Sequence, residues 1–89
     1  VPVTLELGGK SPALIAPDFP IELAAERIAA GKCFNAGQTC VAPDYVLVPR
    51  AQRDEFVRAY LASVRRRYPT LAANPDYTAV VNHRQADRL

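Results

Sequence analysis

Strand-like and helix-like segments follow one another along the 89-residue chain, which places it in the α/β class. Three observations carry that reading. Short apolar runs are bounded by proline and glycine, as strands are. An alanine-rich stretch opened by a proline lies between two of these runs. A clean apolar stripe at helical spacing follows the third. At 49% apolar residues, the composition is that of a packed globular protein rather than a disordered tail.

The elements can be taken in order. Val1, Val3, Leu5 and Leu7 alternate with Thr4 and Glu6, which predicts a half-buried strand with Glu6 on the face opposite the leucines. Gly8-Gly9 breaks it. Ala13-Leu14-Ile15-Ala16, between Pro12 and Pro17, predicts a second strand. Pro20 suits the first turn of a helix, where its missing N–H costs nothing. That helix is predicted from about Ile21 to Asn35, with Gly37 as its stop. Its charges Glu22, Glu26, Arg27 and Lys32 do not gather on one face, so packing from more than one direction is expected. Tyr45-Val46-Leu47-Val48, ended by Pro49, predicts a buried strand. From Ala51 to Tyr68, Phe56, Val57, Tyr60, Leu61, Val64 and Tyr68 form a helical stripe, and Asp54 and Arg58 are spaced to pair. Pro69 ends that helix. Thr78-Ala79-Val80-Val81 predicts a last strand, and His83 to Leu89 the start of a helix. The predicted order is β-β-α-β-α-β-α.

A chain this short makes one small domain at most, and small domains are marginal without staples. Two cysteines allow a single disulfide, so no staple framework exists. The chain has no Met, opens within an apparent strand and stops within an apparent helix. It is therefore expected to be an internal piece of a larger protein. A net charge of +2 with no basic face gives no reason to expect a nucleic-acid partner. Arg65-Arg66-Arg67 falls in the last turn of a helix, where cations suit the dipole. No apolar run reaches the length of a membrane helix. Free cysteines point to a reducing cytoplasm. His83, the single histidine, has no carboxylate or cysteine beside it in sequence to build a metal site. Gly8-Gly9 is not a dinucleotide fingerprint.

Two residues stand out chemically. Cys40 follows Asn35-Ala36-Gly37-Gln38-Thr39, a small and polar stretch just past the predicted helix. A thiol is a useful nucleophile because a few per cent of it is ionised near neutral pH, and a glycine shortly before it lets a substrate approach the backbone. The plainer reading is a small buried hydrophobe. Glu6 is a carboxylate in an apolar strand, directly before Gly-Gly. Buried, it would titrate nearer neutrality and suit general-base work. The plainer reading is a strand glutamate facing water.

Taken together, the two segments reduce the weight of both plainer readings. Leu5-Glu6-Leu7-Gly8-Gly9-Lys10-Ser11-Pro12 resembles the glutamate signature of the aldehyde dehydrogenase family, and Phe34-Asn35-Ala36-Gly37-Gln38-Thr39-Cys40 resembles its cysteine signature. The spacing of Glu6 and Cys40 is also the family's, and the resemblance extends over essentially the whole chain. Thr39-Cys40-Val41-Ala42-Pro43-Asp44-Tyr45 looks like the class 3 branch. Tyr68-Pro69-Thr70 with Asn74-Pro75-Asp76-Tyr77-Thr78 is similar to the bacterial coniferyl aldehyde dehydrogenases within it. Cys33 departs from the pattern, standing where the family has a large apolar or aromatic residue. It is read as a packing substitution, since free cysteine behaves as a small hydrophobe.

The resemblance implies oxidation of an aldehyde to its acid with NAD or NADP. Cys40 would be the nucleophile of a thiohemiacetal and then a thioester, and Glu6 the base that activates the hydrolytic water. The Cys40 N–H would be one oxyanion donor. The family's second, an asparagine, is expected upstream of Val1 and is not Asn35. Leu7 and Gly8 would line the nicotinamide end of the cofactor site. Residues 1–8 would be the last strand of the cofactor-binding domain with the crossover, and 9–89 part of the catalytic domain. The family forms homo-oligomers, and the 89-residue chain by itself is expected to be inactive. Two rivals stay open: an acylating, coenzyme A-dependent relative, which typically lacks the glutamate, and a non-catalytic module of the same fold.

Overall fold

A computed structural model describes all 89 residues. Five regular elements form in the order β1 (Ser11–Leu14), α1 (Ile21–Cys33), β2 (Pro43–Leu47), α2 (Arg53–Arg67) and α3 (His83–Ala86). β1 and β2 pair in parallel with α1 between them, a βαβ unit followed by two helices. Pro12 faces Tyr45, Ala13 faces Val46 and Leu14 faces Leu47, after an irregularity between Ser11 and Pro12. The Ile15 N–H donates to the Leu47 carbonyl at 2.9 Å, so the pairing runs one residue beyond β1.

Two predicted strands do not form. Residues 1–7 are exposed and without regular structure, and so are 78–81 apart from a half-buried Val80. Alternation specifies which side chains would share a face. A strand also needs a neighbour to take its N–H and C=O groups, and none lies along either segment.

The core comprises Ile15, Ile21, Ala24, Ala25 and Phe56, with Ile28, Val46, Val48, Ala59 and Tyr60 packed against it. On α1 the buried positions Ile21, Ala24, Ala25 and Ala29 follow one helical stripe, with Ile28 half-buried among them and Ala30 half-buried off it. The helix is thus covered mainly from one side, not from several. Its proline, Pro20, stands as the N-cap, one residue outside the expected first turn. α2 turns Phe56, Tyr60 and Ser63 inward and leaves Val57 and Leu61 exposed, so only part of its predicted stripe is used. Ser63 is buried with no partner for its hydroxyl. The expected Asp54–Arg58 pair is absent. Asp54 instead meets Arg53 at 3.4 Å, and Arg67 reaches Glu26 across the α1–α2 interface at 3.5 Å.

β2 is not the buried strand its composition predicts. Tyr45 and Leu47 are exposed because the sheet has two strands and helices cover only the face carrying Val46 and Val48. Tyr68, just before Pro69, leaves helical geometry at φ −133° and ψ 77° and ends α2 as predicted. Its ring meets Tyr77 edge-on at 5.0 Å, which folds the following segment back toward α2. Asn82 caps α3 by accepting from the Gln85 N–H at 2.9 Å.

Candidate active site

The cysteine loop begins where α1 stops. In the turn Phe34–Gly37, Asn35, Ala36 and Gly37 take φ values of 50°, 54° and 77°. Each left-handed residue carrying a Cβ costs about 1–2 kcal/mol, a cost asparagine eases by local hydrogen bonding and glycine avoids. Gly37 is there for this geometry. A Cβ on it would also stand 3.2 Å from the Lys32 carbonyl oxygen. Opening the backbone to a substrate is not its visible role. Three successive left-handed residues reverse the chain and deliver Cys40 to a second turn, closed by the Ala42 N–H on the Thr39 carbonyl at 3.2 Å. Cys40 stands exposed at its corner, and its N–H has no partner in the chain. It is not the small buried hydrophobe of the plainer reading.

Its carbonyl is fixed from the other side. Ser11 Oγ donates to it at 3.2 Å, and Gly9 packs so closely that a Cβ built there collides with the Cys40 carbonyl oxygen. The obstacle is backbone, which cannot swing aside as a long side chain does. Gly9→Ala is therefore expected to cost about 1–3 kcal/mol or more through overpacking. At Gly8 a Cβ meets nothing within 4 Å, so Gly8→Ala should stay within about 0.5 kcal/mol. Denaturant midpoints compare the two, and equal midpoints would refute the contact.

Glu6, Leu7 and Gly8 are fully on the surface. The strand expected to carry Glu6 has no neighbour to pair with, so the side chain is not buried. No hydrogen bond or ion pair joins Glu6 to Cys40, although Gly9 and Ser11 hold the same segment against the cysteine loop. Cys33 is half-buried at the end of α1. Burial pushes its thiol up, partly offset by the nearby Arg67 and Lys32 cations. A thiol so held keeps its proton, which accords with a packing residue. No three His, Cys, Asp or Glu side chains cluster as metal ligands, and no helix is long and apolar enough to cross a membrane.

The aldehyde dehydrogenase family model matches residues 1–89, the whole chain. The chain belongs to the aldehyde dehydrogenase family. A probable coniferyl aldehyde dehydrogenase of Pseudomonas aeruginosa is 61% identical over 99% of the chain, which covers 18% of that relative. Aldehyde dehydrogenase family 3 member A2 of Mus musculus is 45% identical over 99% of the chain, again 18% of the relative. A substrate-bound structure of Staphylococcus aureus AldH superposes with a TM-score of 0.88 at 45% identity, over 99% of this chain and 19% of that one. The chain thus spans about a fifth of the length of the relatives it matches. The α/β class and the class 3 resemblance both stand.

Within this aldehyde dehydrogenase segment, Gly9, Ser11 and Gln38 lie inside the two signatures, but nothing in the sequence shows the contacts they make. Gly9 was legible as one half of a strand-breaking pair, but nothing in Gly8-Gly9 says which glycine is sterically required. Ser11 and Gln38 act on backbone far away in the chain, at Cys40 and at 79–81. Those contacts exist only after folding.

Proposed function

We propose that the full-length protein containing this segment oxidises an aldehyde to its carboxylic acid with NAD or NADP, Cys40 acting as nucleophile and Glu6 as base. The observation that carries it is the cysteine turn itself. Cys40 is exposed, its N–H is unengaged, and its carbonyl is strapped by the segment that bears Glu6. Glu6 lies three residues before Gly9, so at most about 11 Å of extended chain separates them.

The chemistry explains the residue types. The Cys40 thiolate adds to the carbonyl carbon, and the oxygen takes the displaced electron pair as an oxyanion. The free Cys40 N–H is suited to receive that charge, and such donors are worth roughly 3–4 kcal/mol each in other enzymes. Departure of hydride from the same carbon leaves a thioester on Cys40. Glu6 then takes a proton from water, hydroxide adds to the thioester, the C–S bond breaks and its electron pair returns to sulfur. NAD or NADP, when bound, supplies the hydride acceptor. Leu7 and Gly8 would hold its nicotinamide end. The fit is supported by their exposed backbone and by the open space beside Gly8.

In this reading residues 1–8 close the cofactor-binding domain and 9–89 belong to the catalytic domain of a cytoplasmic homo-oligomer. The name of the Pseudomonas aeruginosa relative supports a coniferyl-type aromatic aldehyde. The test is to trap the thioester. Acid-quenched full-length protein, turning over an aromatic aldehyde with NAD, should carry the acyl group on the peptide bearing Cys40. The 89-residue chain, run in parallel, should reduce no cofactor. An acyl group on Cys33, or on neither cysteine, would remove Cys40 from the mechanism.

A further inference from the structure

The segment Thr78–Val81 has the composition of a strand but no strand beside it. One side chain hydrogen-bonds its backbone. Gln38 Nε2 donates to the Ala79 carbonyl at 3.1 Å, and Gln38 Oε1 accepts from the Val81 N–H at 2.9 Å. A residue in a parallel strand makes this same two-point pattern, bonding the C=O and N–H that flank its neighbour across the ladder. The primary amide, one donor side and one acceptor, stands in for a peptide group. The same Nε2 also donates to the Asn35 carbonyl at 3.0 Å. Asn35 Nδ2 returns a bond to the Gln38 carbonyl at 3.3 Å, and the Gln38 N–H bonds the Asn35 carbonyl at 3.1 Å. One glutamine therefore ties the left-handed turn to itself and to chain some forty residues on.

The geometry points to Gln38 as a positioning residue for Cys40, a latch that holds the cysteine turn against the 79–81 segment. The inference rests on Cys40 being the nucleophile. Cys40 is two residues beyond Gln38. Its carbonyl is gripped by Ser11 and Gly9 on one side, and Gln38 supplies the hold on the other. Without the latch, the turn keeps the bonds between Asn35 and the Gln38 backbone but loses both bonds to the 79–81 segment, and its two left-handed non-glycine residues leave it strained. A nucleophile displaced by about 1 Å loses on the order of 10²-fold in rate. Substrate contacts made elsewhere are untouched by that displacement.

Gln38→Met in the full-length protein keeps the side chain's length and deletes both hydrogen-bonding ends. The expected result is a kcat lower by about 10²-fold, KM changed far less, and faster hydrogen exchange at the Val81 amide. A kcat near the parent value, with Val81 exchange accelerated, would overturn the positioning role. Should the variant not fold, Val81 exchange in the unmodified protein decides. Protection supports the latch, and exchange at the free-peptide rate overturns it. Cys40→Ser is the control. If that variant still turns over aldehyde, the nucleophile assignment falls and the latch falls with it. A dead Cys40→Ser beside an active Gln38→Met sinks the latch alone.

Discussion

If Cys40 is the nucleophile, Cys40→Ser in the full-length protein is expected to abolish turnover, by at least about 10³-fold on the scale seen when a covalent nucleophile is removed, while Cys33→Leu leaves activity near the parent value. The two cysteines differ in exposure and surroundings. Cys40 is exposed at a turn corner beside an unengaged N–H, whereas Cys33 is half-buried in a helix end with its thiol pushed up by burial. A hydroxyl is far less ionised than a thiol near neutral pH, so serine at position 40 keeps the shape and loses the attacking form. Leucine at position 33 adds volume at a half-buried helix end and should cost no more than the roughly 1–3 kcal/mol of overpacking. The sign of any pH effect can also be fixed. Folded Cys33 holds its proton to higher pH than the unfolded thiol does. Its contribution to stability is complete below the ordinary thiol range and is lost as pH rises through the raised value. Cys33→Leu should therefore flatten the alkaline limb of the stability profile. Steady-state rates and midpoints of both variants check the assignment, which fails if folded Cys33→Leu is inactive.

The helices were largely legible because their signals are local. Pro20, Gly37 and Pro69 punctuate α1 and α2 almost where the chain turns, and Phe56 and Tyr60 mark the inward face of α2 by spacing. The strands were half legible. Ala13 to Ala16 and Tyr45 to Val48 are each within two residues of β1 and β2. Residues 1–7 and 78–81 show the pattern without the pairing, because alternation is a property of one segment and a ladder is a property of two. Val57, Leu61, Tyr45 and Leu47 remain on the surface for a related reason: apolar spacing names the face that could be buried, and burial needs something to cover it. At the candidate site, Cys40 and Glu6 are singled out by chemistry and by resemblance. Gly9, Ser11 and Gln38 are not, since each acts on backbone remote in sequence.

Glu6→Gln should slow release of the acid far more than the steps before it. If Glu6 activates the hydrolytic water, its removal should lower the steady-state rate by the 10²–10⁴-fold typical of general-base catalysis, about that range here. Addition of Cys40 to the aldehyde and loss of hydride need no hydrolytic water. One equivalent of reduced cofactor should therefore appear rapidly at each site before the slow phase begins. Glutamine preserves size and one acceptor, so the exposed segment 1–10 and its strap at Gly9 and Ser11 should be undisturbed. A glutamate able to reach water near the turn could also reach the thiol and take its proton, and the burst separates these two roles. Rapid mixing of the variant with aldehyde and cofactor, followed by cofactor absorbance, reads it directly. A burst near one equivalent assigns Glu6 to deacylation. Loss of the burst together with the steady-state rate assigns it instead to activating Cys40. An unchanged rate removes Glu6 from the mechanism, and its exposed position would then be that of an ordinary surface carboxylate.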